Sequence, residues 1–255
     1  MITDLYSAVL TNIAIFFGVV FALSIILKRN DIVDVAWGLG FVVIGSTLIY
    51  TQEGSLRYIL LFGLILTWGM RLAMHILFRL INKKGKEDFR YAQWREEWGS
   101  FVYVRSFFQI YVLQALLMLV ISSPLVIVIQ DNSSEITLIH AIGGFVALIG
   151  LTFEALGDYQ LSRFKSKKEN KGKLMTTGLW SLTRHPNYFG EVTFWWGVFI
   201  FTLPSEFGGY AIVSALTITF LILGVSGIPM LEKKYEGNKD FEEYKKETNA
   251  FWPGL

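Results

Sequence analysis

The chain has 255 residues, of which 53% are hydrophobic and 17% charged, and its mean hydropathy is +0.46. That composition cannot furnish an ordinary water-soluble surface, so a membrane protein is expected. A net charge of only +2 argues against nucleic acid as a partner, the absence of cysteine excludes disulfides and thiol chemistry, and three scattered histidines argue against a metal site.

A hydrocarbon core of about 30 Å asks for roughly 20 apolar residues per helix, and seven runs meet that demand. They lie near 5–27, 35–50, 58–81, 107–129, 136–157, 186–203 and 209–231. The first is expected to stay in the protein: no basic residue precedes it, and Lys28-Arg29 follow it as a stop-transfer pair. Asp34, in DIVDVAWGLG, opens the second span either as its N-cap or as an acid reaching inward, because Asp31 also suits the cap. In the third, WGMRLAMHILFRLIN sets Trp68, Arg71, His75 and Arg79 at helical spacing. Arg71 lies roughly 15 Å from the span's end at 1.5 Å per residue. That is too deep to snorkel easily, which points to a carboxylate partner such as Glu154 or Glu191, or to a ligand phosphate. His75 is either a proton donor or a plain hydrogen-bonding residue. The stretch KKGKEDFRYAQWREEW follows, where Arg90 and Tyr91 complete an anion site or belong to a solvated interfacial helix.

The fifth span ends in FEALGDYQLSRFK, so Glu154 and Asp158 fall on one helical face, with Tyr159 and Arg163 just beyond. Two inward carboxylates can accept hydroxyl and amide donors from a polar ligand; snorkelling side chains at a helix end are the alternative. Lys165 to Leu174 reads as a solvated loop. SLTRHPNYFGE then leads into the sixth span, which Pro186 is suited to start at His185 or Pro186. Asn187 and Glu191 share a face from there. Free N–H groups, the positive helix end and Arg184 suit this doorway to a phosphate or carboxylate. Alternatively His185 caps the helix, Arg184 reaches lipid phosphates and Asn187 satisfies a turn. Glu191, a turn and a half inside the membrane, needs a partner in either case. Past the last span, Lys239 to Glu247 is predicted as a short surface helix, and Pro253 prevents continuation.

Lys and Arg number two, six, seven and five in alternate segments, against a single one in all the others. The positive-inside rule then places the N-terminus outside and the C-terminus in the cytoplasm, consistent with an odd number of spans. No linker, repeat or low-complexity tract divides residues 1–255, so one all-α, multi-pass domain of seven transmembrane helices is expected. Its long polar connections, 82–106, 158–185 and 232–255, put function on the cytoplasmic side.

DVAWGLG, WGMRLAMH, GKEDFRY, GLWSLTRHPNYFGE and the FWPG ending together resemble bacterial membrane proteins grouped with the steroid 5α-reductase family, the DUF1295 branch. The resemblance runs over nearly the whole chain. It implies NADPH binding from the cytosolic side and hydride delivery to the β-carbon of an enone on a steroid or other lipid-like substrate. It also implies a bacterial inner membrane, or endoplasmic reticulum in a eukaryote. By motif, Asp158 and Arg163 look like the family's cofactor-contacting pair, Asn187, Gly190 and Glu191 like its N-x-x-G-E element, and Tyr235 like the aromatic of its C-terminal cofactor segment. Glu154, Arg184, His185, Tyr188, Arg90 and Tyr91 join the expected cofactor set. The family's Gln-Glu pair and span-three Tyr are not matched: Gln52-Glu53 falls at the outer end of span two, and Trp68 stands near the middle of span three. Asp34, Arg71 and His75 are therefore the local candidates for steadying a developing oxyanion.

Arg-His-Pro-x-Tyr-x-Gly is also similar to the isoprenylcysteine and phospholipid methyltransferases, where it serves S-adenosylmethionine, often with a later Glu-Glu pair. Here Glu232 is followed by Lys233. The extra Glu191 and the seven-span layout favour the reductase over the methyltransferase. A lipid-binding or transport protein without catalysis is the third class, and it would not require two polar faces converging on one cytosolic doorway.

Overall fold

The computed structural model describes residues 2–82, 86–131 and 133–254, and every regular element among them is helical. Lys83, Lys84 and Gly85 of the charged stretch after span three lie outside the described residues. Six helical stretches are long and apolar enough to cross a membrane: Asp4–Leu27, Ile32–Thr51, Leu56–Asn82, Phe89–Ile121, Leu138–Ser166 and Gly208–Lys233. By that measure the chain is an integral membrane protein. The run expected as span six forms a helix of 17 residues, Pro186–Thr202, short of the roughly 20 that cross a bilayer unaided. The chain divides into two compact units, Met1–Glu135 and Ile136–Leu255.

In the first unit, α1 (Ile2–Leu27), α2 (Ile32–Thr51) and α3 (Leu56–Asn82) pack in sequence. Membrane helices associate through small residues, because lipid is as apolar as leucine and close backbone contact is the gain available. Gly38 of α2 and Gly69 of α3 make that contact: a Cβ on Gly69 would lie 2.5 Å from the Gly38 carbonyl oxygen. Next come the short helix α4 (Phe89–Trp98) and α5 (Val102–Ser106). A wide turn at Phe107–Val112 then leads into α6 (Leu113–Ile121), and α7 (Ser123–Ile129) follows. At one end of this unit, buried Arg57 donates to the Asp131 carboxylate at 2.7 Å and to the Glu135 carbonyl at 2.6 Å. The sole cation of the connections expected to face outward is thus neutralised on the spot.

The second unit is built on α8 (Leu138–Ser166) and α9 (Pro186–Thr202). Gly143, Ala147, Gly150 and Glu154 of α8 meet Phe201, Gly197, Phe194 and Gly190 of α9 backbone to backbone. The chain continues through α10 (Ile212–Phe220), a wide turn at Leu221–Val225, α11 (Ile228–Lys233) and α12 (Lys239–Glu247), the last with the predicted bounds. Asn238 caps α12 by accepting from the Phe241 N–H at 3.2 Å.

A Cβ at Gly190 would sit 2.4 Å from the Glu154 nitrogen and 2.6 Å from the Gly150 carbonyl oxygen, and backbone cannot rotate away as a side chain can. At Gly144 of α8, ten residues before Glu154, the nearest atom would be a Phe201 side-chain carbon 3.9 Å away. Gly190→Ala is therefore expected to destabilise by at least about 1–3 kcal/mol. Gly144→Ala should be neutral or slightly stabilising, since alanine is the better helix former. Thermal unfolding of both variants in detergent checks this, and equal melting points would refute the close-contact account.

Candidate functional site

The doorway forms where the chain leaves an irregular segment for α9. His185 takes the N-cap position with φ −138° and ψ 63°, and Pro186 occupies the first helical position. Gly157 of α8 leaves room for this start, since a Cβ there would stand 3.1 Å from the Asn187 nitrogen. Across the α8–α9 seam the Asn187 carboxamide donates to the Asp158 carboxylate at 3.3 Å. Asp158 and Glu154 are both buried one turn apart on α8, whereas Asn187, Tyr188 and Glu191 are half-buried on α9. The structure therefore brings together Glu154, Asp158, Asn187 and Gly190.

Arg184 is placed differently from the expected free anion binder. Its Nε and Nη2 both donate to Glu232 Oε1, at 2.9 and 2.8 Å, and its Nη1 donates to the Thr248 carbonyl at 2.5 Å. His185 Nε2 lies 3.1 Å from the same Glu232 oxygen, and its ring stacks on Tyr188 at 5.6 Å. Glu232, at the end of α11, is the residue the sequence did not assign to the site. One signal was available: a buried arginine at a membrane edge needs a counter-charge, and Glu232 is the acid at the inner end of the last apolar run.

The C-terminal segment clasps the loop before α9. The Arg184 N–H donates to the Asn249 carbonyl at 2.9 Å, the Thr183 hydroxyl to the Ala250 carbonyl at 3.1 Å, and the Gly254 N–H to the Leu182 carbonyl at 3.0 Å. The Tyr244 hydroxyl donates to the Trp180 carbonyl, and the Trp180 indole to the Gly157 carbonyl at 3.1 Å. Burial pushes the Tyr244 phenol up to about 12. Tyr235 stacks on Phe241 at 5.0 Å, and Phe241 carries the Arg184 guanidinium over its face at 5.9 Å. Tyr235 thus reaches the doorway through Phe241. Arg163 is exposed, with its guanidinium 3.3 Å from the Tyr159 hydroxyl within α8.

The remaining expected residues lie in the first unit. Asp31, not Asp34, stands at the N-cap of α2, and its side chain makes no capping bond. It instead receives Arg29 in a two-point pair at 2.7 and 2.9 Å and the Asp88 N–H at 2.8 Å. That hydrogen-bonded pairing holds the Arg29 guanidinium above its ordinary pKa. Asp34, one turn inside α2, accepts from Arg90 Nη2 at 3.0 Å on one oxygen and from the Tyr91 hydroxyl at 2.5 Å on the other. Arg90 Nε also holds Asp88 at 3.0 Å, and Asp88 caps α4. Arg71 and His75 are half-buried along the face of α3 that continues to Arg79, whose charge acts on Asp34. Asp34, expected apart from the Arg90–Tyr91 anion site, forms one cluster with both residues.

Removing Glu232 would leave the buried Arg184 charge without its carboxylate. Glu232→Ala is expected to cost about 3–5 kcal/mol, whereas Arg184→Met with Glu232→Leu should recover most of it. Thermal denaturation of the three proteins decides, and a double variant no better than the single one would refute the pairing. For Tyr244, the neutral phenol is the form that fits the fold. Its contribution is complete below about pH 10, the unfolded value, and is lost as pH rises from there through about 12. Native protein should therefore lose melting temperature more steeply than Tyr244→Phe over that window, and parallel curves would contradict the burial of the phenol.

No curated protein and no solved structure matches the chain. The family model described as protein of unknown function DUF1295 matches residues 20–248, which is most of the sequence and includes the α8–α9 doorway, Glu232 and the Asp34 cluster. The chain belongs to the DUF1295 family.

Proposed function

We propose that the protein is a membrane-embedded, NADPH-dependent reductase of a carbon–carbon double bond in a steroid-like or other lipid enone. In this proposal the short α9 counts as the seventh membrane segment, the N-terminus faces out, the C-terminus is cytoplasmic, and a bacterial inner membrane is the setting. The observation that carries it is the Asn187–Asp158 contact beside buried Glu154, a carboxamide and two carboxylates held at the seam of two membrane helices. Polar groups kept there suit ribose hydroxyls and an amide, which need acceptors and donors in fixed places.

Arg184 fits a cofactor phosphate poorly, because Glu232 already neutralises it. Phosphates are better matched by exposed Arg163 and the lysines of 165–173. NADPH, when bound, supplies the hydride. The chain's own contribution is orientation and electrostatics. A β-carbon that accepts hydride leaves negative charge on the enone oxygen, which a donor must meet. Asp34, Arg71 and His75 are the residues the sequence offers for that role, whereas the one proton of the Tyr91 hydroxyl is already given to Asp34.

Methyl transfer from S-adenosylmethionine is a second reading, favoured by one contact. Glu232 lands on Arg184 and His185, joining the Arg-His-Pro motif to the later acid that accompanies it in the methyltransferases. Purified protein titrated with NADPH, NADH and S-adenosylmethionine, followed by tryptophan fluorescence and thermal shift, separates the two. NADPH alone should stabilise the protein, and Asn187→Ala should weaken that binding by roughly tenfold or more, the loss of one buried hydrogen-bonding partner. A response to S-adenosylmethionine only would transfer the assignment to methyl transfer. No response to any of the three would leave the lipid-binding, non-catalytic class.

A further inference from the structure

Trp180 lies in the short turn Gly178–Ser181 between α8 and α9, and it is only 8% exposed. Its two polar groups serve different parts of the second unit. The indole N–H donates to the Gly157 carbonyl of α8 at 3.1 Å, and the Trp180 carbonyl accepts from the Tyr244 hydroxyl of α12. The same turn is tied to α8 a second time, where the Leu179 N–H donates to Gln160 Oε1 at 3.0 Å.

The Gly157 carbonyl and the Asp158 nitrogen belong to one peptide unit, and that unit is a rigid plane. A donor that grips one end of the plane fixes the other. Asp158 springs from the far end and accepts from the Asn187 carboxamide at 3.3 Å. That is just beyond the roughly 2.7–3.2 Å of an ordinary N–H···O bond, so little further displacement is tolerated. The separation of the two backbones is already set at Gly157, where a Cβ would stand 3.1 Å from the Asn187 nitrogen. The tilt of the Gly157–Asp158 plane is therefore what decides whether the carboxylate and the carboxamide meet.

We propose that Trp180 is a positioning residue for the α8–α9 site. Its indole sets the Gly157–Asp158 peptide so that Asp158 engages Asn187, and its carbonyl ties that setting to Tyr244 of the C-terminal segment. Tyr244 thus acts on the site through Trp180 without belonging to it. For the identity of the ligand, NADPH, the proposal rests on the reductase reading.

Trp180→Phe keeps a buried ring and removes the N–H, and Tyr244→Phe removes only the hydroxyl. Calorimetric titration of the full chain in detergent should show NADPH binding about fivefold weaker in Trp180→Phe, the loss of one hydrogen bond. Tyr244→Phe should show a smaller loss. An action through Asn187 makes the changes non-additive: with Asn187→Ala already present, Trp180→Phe should weaken binding no further. Unchanged affinity in Trp180→Phe, or a loss that adds in full to that of Asn187→Ala, would overturn the positioning role and leave the reductase reading intact. Should Trp180→Phe fail to fold, the same cycle with Tyr244→Phe decides. A native protein that does not bind NADPH fails the reductase reading instead, and the positioning is then decided without a ligand. Because the chain has no cysteine, Asp158→Cys with Asn187→Cys supplies a single thiol pair. Its disulfide should form more slowly when Trp180→Phe is added than with Trp180 retained, and equal rates would overturn the proposal.

Discussion

Along the α8–α9 seam the two backbones approach so closely that a single methyl group at Gly190 would lie 2.4 Å from the Glu154 nitrogen. Lipid gives no hydrophobic drive for helices to associate, so dispersion between closely apposed backbones is the force available. Everything in the second unit follows from that spacing. It sets Asn187 within reach of Asp158, buries Glu154, and starts α9 at Pro186 with Arg184 and His185 just outside the helix. A wider seam would admit lipid chains between the carboxylates and the carboxamide, and no shared polar site would remain.

Charge is then handled locally. Arg184, His185 and Glu232 form one compact group, and a backbone carbonyl from the C-terminal segment completes the guanidinium. The first unit repeats the pattern at the start of α2, where Arg29 with Asp31 and Arg90 with Asp34 and Asp88 tie the α1–α2 corner to α4. Arg184 with Glu232 and Arg90 with Asp34 are matched across 48 and 56 residues, whereas Arg29 finds Asp31 and Arg90 finds Asp88 two residues away. Such groups stabilise the fold only while complete, because each member left alone is a desolvated charge. They also fix the orientation of Tyr91 and of the His185 ring, which chemistry at either place would require.

Much of the architecture was legible in the sequence because its cause is local. Apolar run length gave five of the six long spans, Pro186 gave the start of α9, and the expected surface helix at Lys239–Glu247 is α12; the fourth span, expected over 107–129, instead runs Phe89–Ile121 and takes in residues expected as a polar connection. Asp158 and Asn187 were foreseeable as neighbours, since each sits at the polar end of an adjacent helix. What stayed hidden was pairing over long sequence separation. Periodicity put Asp34 at a helix start and left open whether it caps; the chain placed Asp31 there and gave Asp34 to Arg90 and Tyr91, more than 50 residues away. The charge of Arg184 suggested an anion from outside, and the fold supplied one from within at Glu232. The expected bounds of α9, 186–203, hold to within a residue, with Leu203 closing the helix before Pro204.

The clasp over the doorway has a bearing on how the second unit assembles. The Asn187–Asp158 contact closes a loop of 29 residues, whereas Arg184 meets Thr248 across 64. Closure entropy grows so slowly with length that the longer reach costs only about 0.7 kcal/mol more than the shorter one, a difference that a single hydrogen bond to the Arg184 guanidinium is enough to offset.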